Sequence, residues 1–314
     1  MLHVMRWIRE FIGQGDTSRD SRENRYLIGE CLLEMKRNLW NSLPFTPDNW
    51  DELGFGVFSQ SNEDGLIQYL VNHIQIPNKT FIEFGVQNYL ESNTRFLLLH
   101  NNWSGLVMDA SEEYITYVKR DPVCWTHDLE AVSAFITKEN INDLIANRRF
   151  NEEVGILSID IDGNDYWIWD AINCINPCIV ICEFNPTFGP NAAISIPYKP
   201  DFYMYTAHYS GLYWGASLRA YVQLGKKKGY KLVCLNQMGH NAFFVREDIQ
   251  CSLPEVPVDL AWRGGAKYRE SCDEQRNRTF LSHQDGLKLI ENEIVVDVMD
   301  GKQKRIKECV SHIN

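Results

Sequence analysis

Four apolar runs end in residues able to do chemistry: Thr80-Phe-Ile-Glu83-Phe-Gly85, Gly105-Leu-Val-Met-Asp109-Ala110-Ser111, Val154-Gly-Ile-Leu-Ser158-Ile-Asp160-Ile-Asp162-Gly163 and Ile179-Val-Ile-Cys-Glu183-Phe-Asn185-Pro. In the third, alternation along a strand puts Ser158, Asp160 and Asp162 on one face and Ile159 and Ile161 on the other. Carboxylates converging at a strand end repel each other unless a cation, a shared proton or a substrate hydroxyl intervenes. Glu183 and Asn185 would face the same cleft. Asp160, Asp162 and Glu183 therefore form an oxygen-rich set of the kind that holds Mg²⁺, and equally a hydrogen-bonding wall for a polar substrate. In the first two runs, Gly85 lets bare backbone approach a ligand, and Asp109 at the end of the next strand can hold the two hydroxyls of a ribose. Such geometry serves NAD and S-adenosylmethionine alike. The glycines discriminate: Val86, Gln87, Asn88 and Tyr89 follow Gly85, so the GxGxxG cradle for a pyrophosphate is missing. A carboxylate-lined edge suits a cationic sulfonium, and S-adenosylmethionine is the expected cofactor.

These positions require a particular scaffold. Strands are expected at Thr80–Phe84, Gly105–Asp109, Val123–Thr126, Val154–Ile161 and Cys178–Glu183. Helical segments at 92–101, 112–120, 140–147 and 166–174 separate them. That alternation means βαβ units and a mostly parallel sheet. After a helix at 216–228, the strands Tyr230–Leu235 and Ala242–Arg246 are joined by only Asn236–Asn241, too short for a crossover, so they form an antiparallel hairpin. The predicted fold class is α/β: a Rossmann-like seven-stranded sheet with an antiparallel last strand, helices on both faces, an N-terminal helical extension and a C-terminal appendage. Residues 1–56 are read as the extension, with a helix over 22–43 whose apolar positions are Leu27, Cys31, Leu32, Met35 and Leu39; 57–250 as the main domain; 251–314 as the appendage, with a helix over 282–292. Residues 184–214, rich in aromatics and without a helical pattern, form a long loop of the kind that is usually functional. They offer stacking faces to a sugar ring, or a lid or dimer contact.

The chain has 314 residues and a net charge of −11, against a nucleic-acid binder, which needs a basic face. With 44% hydrophobic residues it can build a sizeable core. Nine cysteines without a CxxC pair point to a reducing compartment; at Cys174, Cys178 and Cys182 buried thiols are favoured over zinc. The opening MLHVMRWIREFIGQG is interrupted by Arg6, Arg9 and Glu10 and does not read as a signal peptide, and no apolar run is long enough to span a membrane. A cytoplasmic location is expected.

Taken together, Phe58-Ser-Gln-Ser-Asn-Glu63-Asp64, the Glu83 strand with Asn93-Thr94, Ser158-Ile-Asp-Ile-Asp-Gly163, Glu183-Phe-Asn-Pro and Gly239-His240-Asn241-Ala-Phe-Phe-Val resemble an FkbM-type S-adenosylmethionine-dependent methyltransferase, of a bacterial branch associated with surface polysaccharides. The likeness covers about residues 55–250. It implies that Gln60, Glu83, Gly85, Thr94, Asp109, Ser111, Asp128 and Asp160 surround the cofactor, with Glu83 on the methionine amino group, Asp109 on the ribose, and Asp128 and Leu129 on the adenine. Ala110 and Asn88 join that set; Gln87-Asn88 stand where relatives commonly carry Asp-Gly, so Asn88 must take the positive φ of the turn. The expected activity is O-methylation of a sugar or glycan precursor. Asp162 and His208 are the candidate bases, with Asp160 beside them, and Glu183, Asn185, Tyr213, His240 and Asn241 the candidate acceptor contacts. Rival readings are a nicotinamide-dependent oxidoreductase on a similar sheet and a non-catalytic methyltransferase-fold scaffold. The expected partner is a small molecule or glycan, and homo-oligomerisation is compatible with the extensions. A phosphorylated acceptor would be repelled by the acidic edge unless a metal ion or basic residues elsewhere in the cleft intervene.

Overall fold

The computed structural model describes residues 19–150, 153–267 and 269–310. The N-terminal segment read above against a signal peptide lies outside them. The expected sheet is present. Strands β1 (Thr80–Phe84), β2 (Ser104–Asp109), β3 (Leu129–Ser133), β4 (Ile156–Ile159) and β5 (Ile179–Glu183) are parallel. A two-residue strand β6 (Ile194–Ser195) lies outside this sheet, and the hairpin of β7 (Tyr230–Leu235) and β8 (Asn241–Arg246) completes it. The order across the sheet is β3-β2-β1-β4-β5-β8-β7, with β8 antiparallel to both neighbours. The order reverses between β1 and β4, the place where open α/β sheets leave a crevice beyond their carboxyl ends. Apolar side chains such as Phe81, Ile82, Phe84, Leu106, Val107, Leu157, Ile179 and Val180 are wholly buried, as a sheet covered on both faces demands.

Three expectations need correction. Val123–Thr126, expected as the third strand, is a helical turn: Asp121 accepts the Val123 amide at 3.1 Å and Pro122 opens the turn, so the β-branched and aromatic run winds up and the strand forms later, at Leu129–Ser133. The N-terminal helix, Arg19–Trp40, buries Gly29, Leu32, Leu33, Lys36 and Trp40, while Leu27 and Met35 are 52% and 56% exposed. Gly29 selects that face, because a Cβ there would stand 2.5 Å from the Phe96 ring. Finally, β4 stops at Ile159, so Asp160 and Asp162 lie beyond the ladder, and Asp162 is left-handed at φ 56°.

The insertion and the C-terminal segment interlock. β6 pairs with β9 (Ile294–Asp297), which pairs with β10 (Gln303–Arg305), giving a three-stranded antiparallel sheet. Phe188, Ile194, Ile196, Tyr213, Leu287, Ile290, Val295 and Ile306 make its core. The insertion also holds a 3₁₀ turn at Pro186–Phe188 and a helical turn at Met204–Ala207, and the helix expected near 282–292 runs His283–Ile290 behind a Ser282 N-cap.

Candidate functional site

The crest of the sheet is fixed by backbone donors. After β1 the chain turns sharply at Gly85, φ 76°, whose amide donates to the Met108 carbonyl at 2.9 Å. A Cβ at Gly85 would sit 1.5 Å from the Asp160 carbonyl oxygen, so the glycine is required by the neighbouring strand end as much as by any ligand. The positive φ angles that follow belong to Gln87 (48°) and Tyr89 (60°), not to Asn88 as expected. Asn88 instead accepts the Leu90 amide on its side chain. Gln87 thereby aims its amide at Asp109 Oδ2, 2.7 Å away, while the Ser111 amide reaches Oδ1 at 2.8 Å. Asp109, with one amide on each oxygen, lines the cavity described below.

Glu83 is 4% exposed and accepts from the Asn93 amide at Oε1, and from Ser92 Oγ, the Thr94 amide and Thr94 Oγ1 at Oε2. Burial pushes its pKa up against those four bonds. The Phe58–Asp64 motif is structural in the same way. Asp64 Oδ2 collects the amides of Val57, Phe58 and Ser59 and the Ser59 hydroxyl, and burial still raises its pKa to about 6. Glu63 Oε1 accepts from Asn236 and Asn241, and the Asn62 side chain accepts the Gln237 amide. Asn236 Oδ1 in turn takes the amides of Gly239, His240 and Asn241. The two distant motifs of the sequence thus form one buried network that sets the β7–β8 turn beside the sheet crest.

Beyond β4, Asp165 accepts the Ile161 and Gly163 amides, 2.8 Å each, and so shapes the loop that presents Asp162. Its pKa is raised by burial to about 6. Carboxylate oxygens of Asp160, Asp162 and Glu183 all lie within 4.8 Å of one another. Burial first, then mutual repulsion, raises Asp160 and Glu183 far above the carboxylate range, and a hydrogen bond links them, as in a pair holding one proton between them. Asp162 is raised by burial and by the charges of Glu270 and Asp109, although its side chain stays open to the cavity. His240 is 3% exposed and its pKa is lowered by burial, so the imidazole is neutral near pH 7.

A cavity of about 1180 Å³ lies over this crest. Gln60, Glu83, Gly85, Asn88, Asp109, Ala110, Ser111, Asp160, Asp162, Glu183, Asn185, His240 and Asn241 all line it. Five candidates do not. With the strand moved to 129–133, Asp128 and Leu129 stand at its start, at the far edge of the sheet, where Asp128 pairs with Arg149. Thr94 is wholly buried beneath the cavity against Glu83. Tyr213 belongs to the small second core, its hydroxyl donating to the Ile294 carbonyl. His208 is turned into its own loop, Nδ1 at 2.8 Å from Ser210 Oγ, with its pKa lowered by burial. In place of Asp128 and Leu129, the wall past β2 and β3 carries Tyr114, Phe135 and Ile136. Arg269, Glu270, Cys272, Arg278 and His283 of the C-terminal segment also line the cavity, Glu270 near enough to Asp162 for its charge to act there. Phe135 was missed because the strand it follows was expected at 123–126 rather than 129–133. The C-terminal wall carries no periodic signal.

No family model and no curated protein matches the chain. Among solved structures it is similar to the O-methyltransferase from Bacillus cereus in complex with SAH, at 14% identity over 68% of this chain and 88% of that one, TM-score 0.39. It is also similar to the CurJ carbon methyltransferase (9%; 60% and 56%; TM-score 0.39) and the mitomycin 7-O-methyltransferase MmcR (12%; 59% and 53%; TM-score 0.36). The match spans only 56% of the CurJ chain and 53% of MmcR. The fold is Rossmann-like: a seven-stranded, mostly parallel sheet whose order β3-β2-β1-β4-β5-β8-β7 ends in an antiparallel hairpin. Among the described residues no helix is long and apolar enough to cross a membrane.

Proposed function

We propose that the chain is an S-adenosylmethionine-dependent methyltransferase that methylates a hydroxyl of a sugar or glycan precursor. The observation that carries this is the cavity crest: a glycine turn, a carboxylate of ribose type at Asp109 and four further carboxylates, with no phosphate cradle. When bound, S-adenosylmethionine supplies an electrophilic methyl group on a sulfonium, which an acceptor oxygen displaces in line. In this reading Asp109 holds the ribose hydroxyls and Glu83 Oε1 the amino group, while Tyr114 and Phe135 offer faces to the adenine. Alignment of acceptor and cofactor is worth up to about 7–11 kcal/mol of the barrier. Asp162 takes the hydroxyl proton. Its raised pKa makes it a stronger base than an ordinary Asp, and it is the most exposed of the three clustered carboxylates that line the cavity. Asn185 and Asn241 orient the acceptor, and the aromatic rings of Phe202, Tyr203 and Tyr205 stack on it. Isothermal titration with S-adenosylmethionine tests the reading: micromolar binding is expected, and none at millimolar cofactor removes the class.

One observation favours a second reading of the acidic cluster. Glu183 Oε2 is buried and has no hydrogen-bond partner in the structure, and with Asp160 and Asp162 it offers three oxygens to a Mg²⁺ ion in place of the shared proton. EDTA separates the two. Turnover is unchanged if the pair holds a proton, and is lost and restored by Mg²⁺ if it holds the metal.

A further inference from the structure

The basic and most of the acidic charges around the cavity differ in origin, the exception being Glu270, an acid of the C-terminal segment that lines the cavity beside the arginines. Glu83, Asp109, Asp160, Asp162 and Glu183 come from the sheet crest, whereas the arginines of the lining, Arg269 and Arg278, both come from the C-terminal segment. The two lining histidines, His240 and His283, are pushed toward neutrality by burial. Arginines elsewhere are committed: Arg95 to Asp121, Arg149 to Asp128, Arg263 to Asp51, and Arg276 to the Tyr205 carbonyl. Arg269 makes no ion pair or hydrogen bond with the described residues, and Arg278 reaches only Glu270, at a long 3.8 Å. The backbone of Arg278, in contrast, is fixed. Residues 271–279 form a small hairpin in which Cys272 pairs with Arg278, Thr279 donates to the Ser271 carbonyl, and the Cys272 amide donates to Ser210 of the insertion. Arg276 secures that hairpin from behind, over the Tyr205 ring. Two guanidiniums, one uncommitted and one loosely paired, thus line the same cavity as the carboxylates. A guanidinium fork is complementary to a phosphoryl or carboxylate group.

We propose that the acceptor carries an oxyanionic group, phosphoryl or carboxylate, and that Arg269 and Arg278 bind it. This rests on the methyl-transfer reading of the cavity and names its substrate class. It also resolves the repulsion expected between an acidic edge and a charged sugar, since the anion docks on the two arginines while the hydroxyl faces Asp162.

The test is calorimetric titration of the full chain at low ionic strength with inorganic pyrophosphate, with glucuronate and with neutral methyl glucoside, repeated on R269Q/R278Q. One or both anions are expected to bind tighter than methyl glucoside, and the double variant to lose about tenfold or more of that affinity. Pyrophosphate alone binding assigns a phosphoryl group, and glucuronate alone a carboxylate. Binding of neither anion, or equal binding in the double variant, overturns the proposal. S-adenosylhomocysteine is titrated separately. Its binding is expected to be the same in both proteins, and its failure in both would sink the methyltransferase reading while leaving the anion result to stand or fall alone.

Discussion

The two walls of the cavity are built by opposite means. On the sheet crest the key carboxylates are held by backbone amides: two on Asp109, two on Asp165, and the Asn93 and Thr94 amides on Glu83. On the other wall, Tyr203, Arg269, Arg278 and Phe280 stand largely in solvent, on turns joined to the core through the small β6-β9-β10 sheet. Preorganised acceptors fixed by main chain suit a ligand that never changes, the cofactor; long exposed side chains on short turns suit one that differs between relatives, the acceptor. The difference teaches where to look for each kind of specificity.

Replacing Asp109 breaks the comparison most directly. Asp109→Ala removes the ribose acceptor and frees the Gln87 and Ser111 amides, so cofactor binding falls below calorimetric detection; retained affinity would mean the crest is not the cofactor side. Asp162→Asn keeps a residue tolerant of φ 56° but not a base, and turnover falls about 10²–10⁴-fold with cofactor affinity unchanged. Equal loss of binding in both variants would erase the division between cofactor and acceptor groups. Next, Asn236→Ala removes the side-chain acceptor of the His240 and Asn241 amides and one of the donors to Glu63, and costs about 3 kcal/mol in urea denaturation. A change near zero would show that the crest does not depend on the buried network beneath it.

Proton linkage sharpens the contrast further. Asp64 and Asp165 are each raised to about 6 from 3.8. A carboxyl that holds its proton more tightly when folded stabilises the fold fully below its unfolded pKa and loses that contribution as pH rises through the folded value. Stability is therefore expected to fall between about pH 4 and pH 6, by up to ~3 kcal/mol for each group. Asp165→Asn should flatten the slope of unfolding free energy against pH in that window. An unchanged slope would mean that the carboxyl at 165 is not the titrating group. R269Q/R278Q, on the exposed wall, shifts neither the melt nor this slope.

The sheet was legible because its strands are apolar runs bounded by polar residues, and the crest because carboxylates terminate those runs. β3 was not, because Leu129-Glu-Ala-Val-Ser alternates weakly while Val123-Cys-Trp-Thr looks more strand-like and is overruled by the Asp121-Pro122 cap. That displacement carried Asp128 and Leu129 away from the cavity and hid Phe135. The turn after Gly85 was misassigned because Asn is the usual residue at positive φ, yet here the pull of Asp109 on the Gln87 amide decides. Roles for His208 and Tyr213 failed for another reason. Residue type nominated them, and only the pairing of β6 with β9 determines which way that loop turns.

That pairing has a consequence for the order of assembly during synthesis. β6 closes against residues 294–297, about a hundred positions downstream, so the wall built by the insertion and the C-terminal segment cannot exist on a growing chain until those residues have emerged, whereas β1 to β8 and the crest are already translated. On the proposed reading, a nascent chain would pass through a stage able to hold the cofactor and blind to the acceptor.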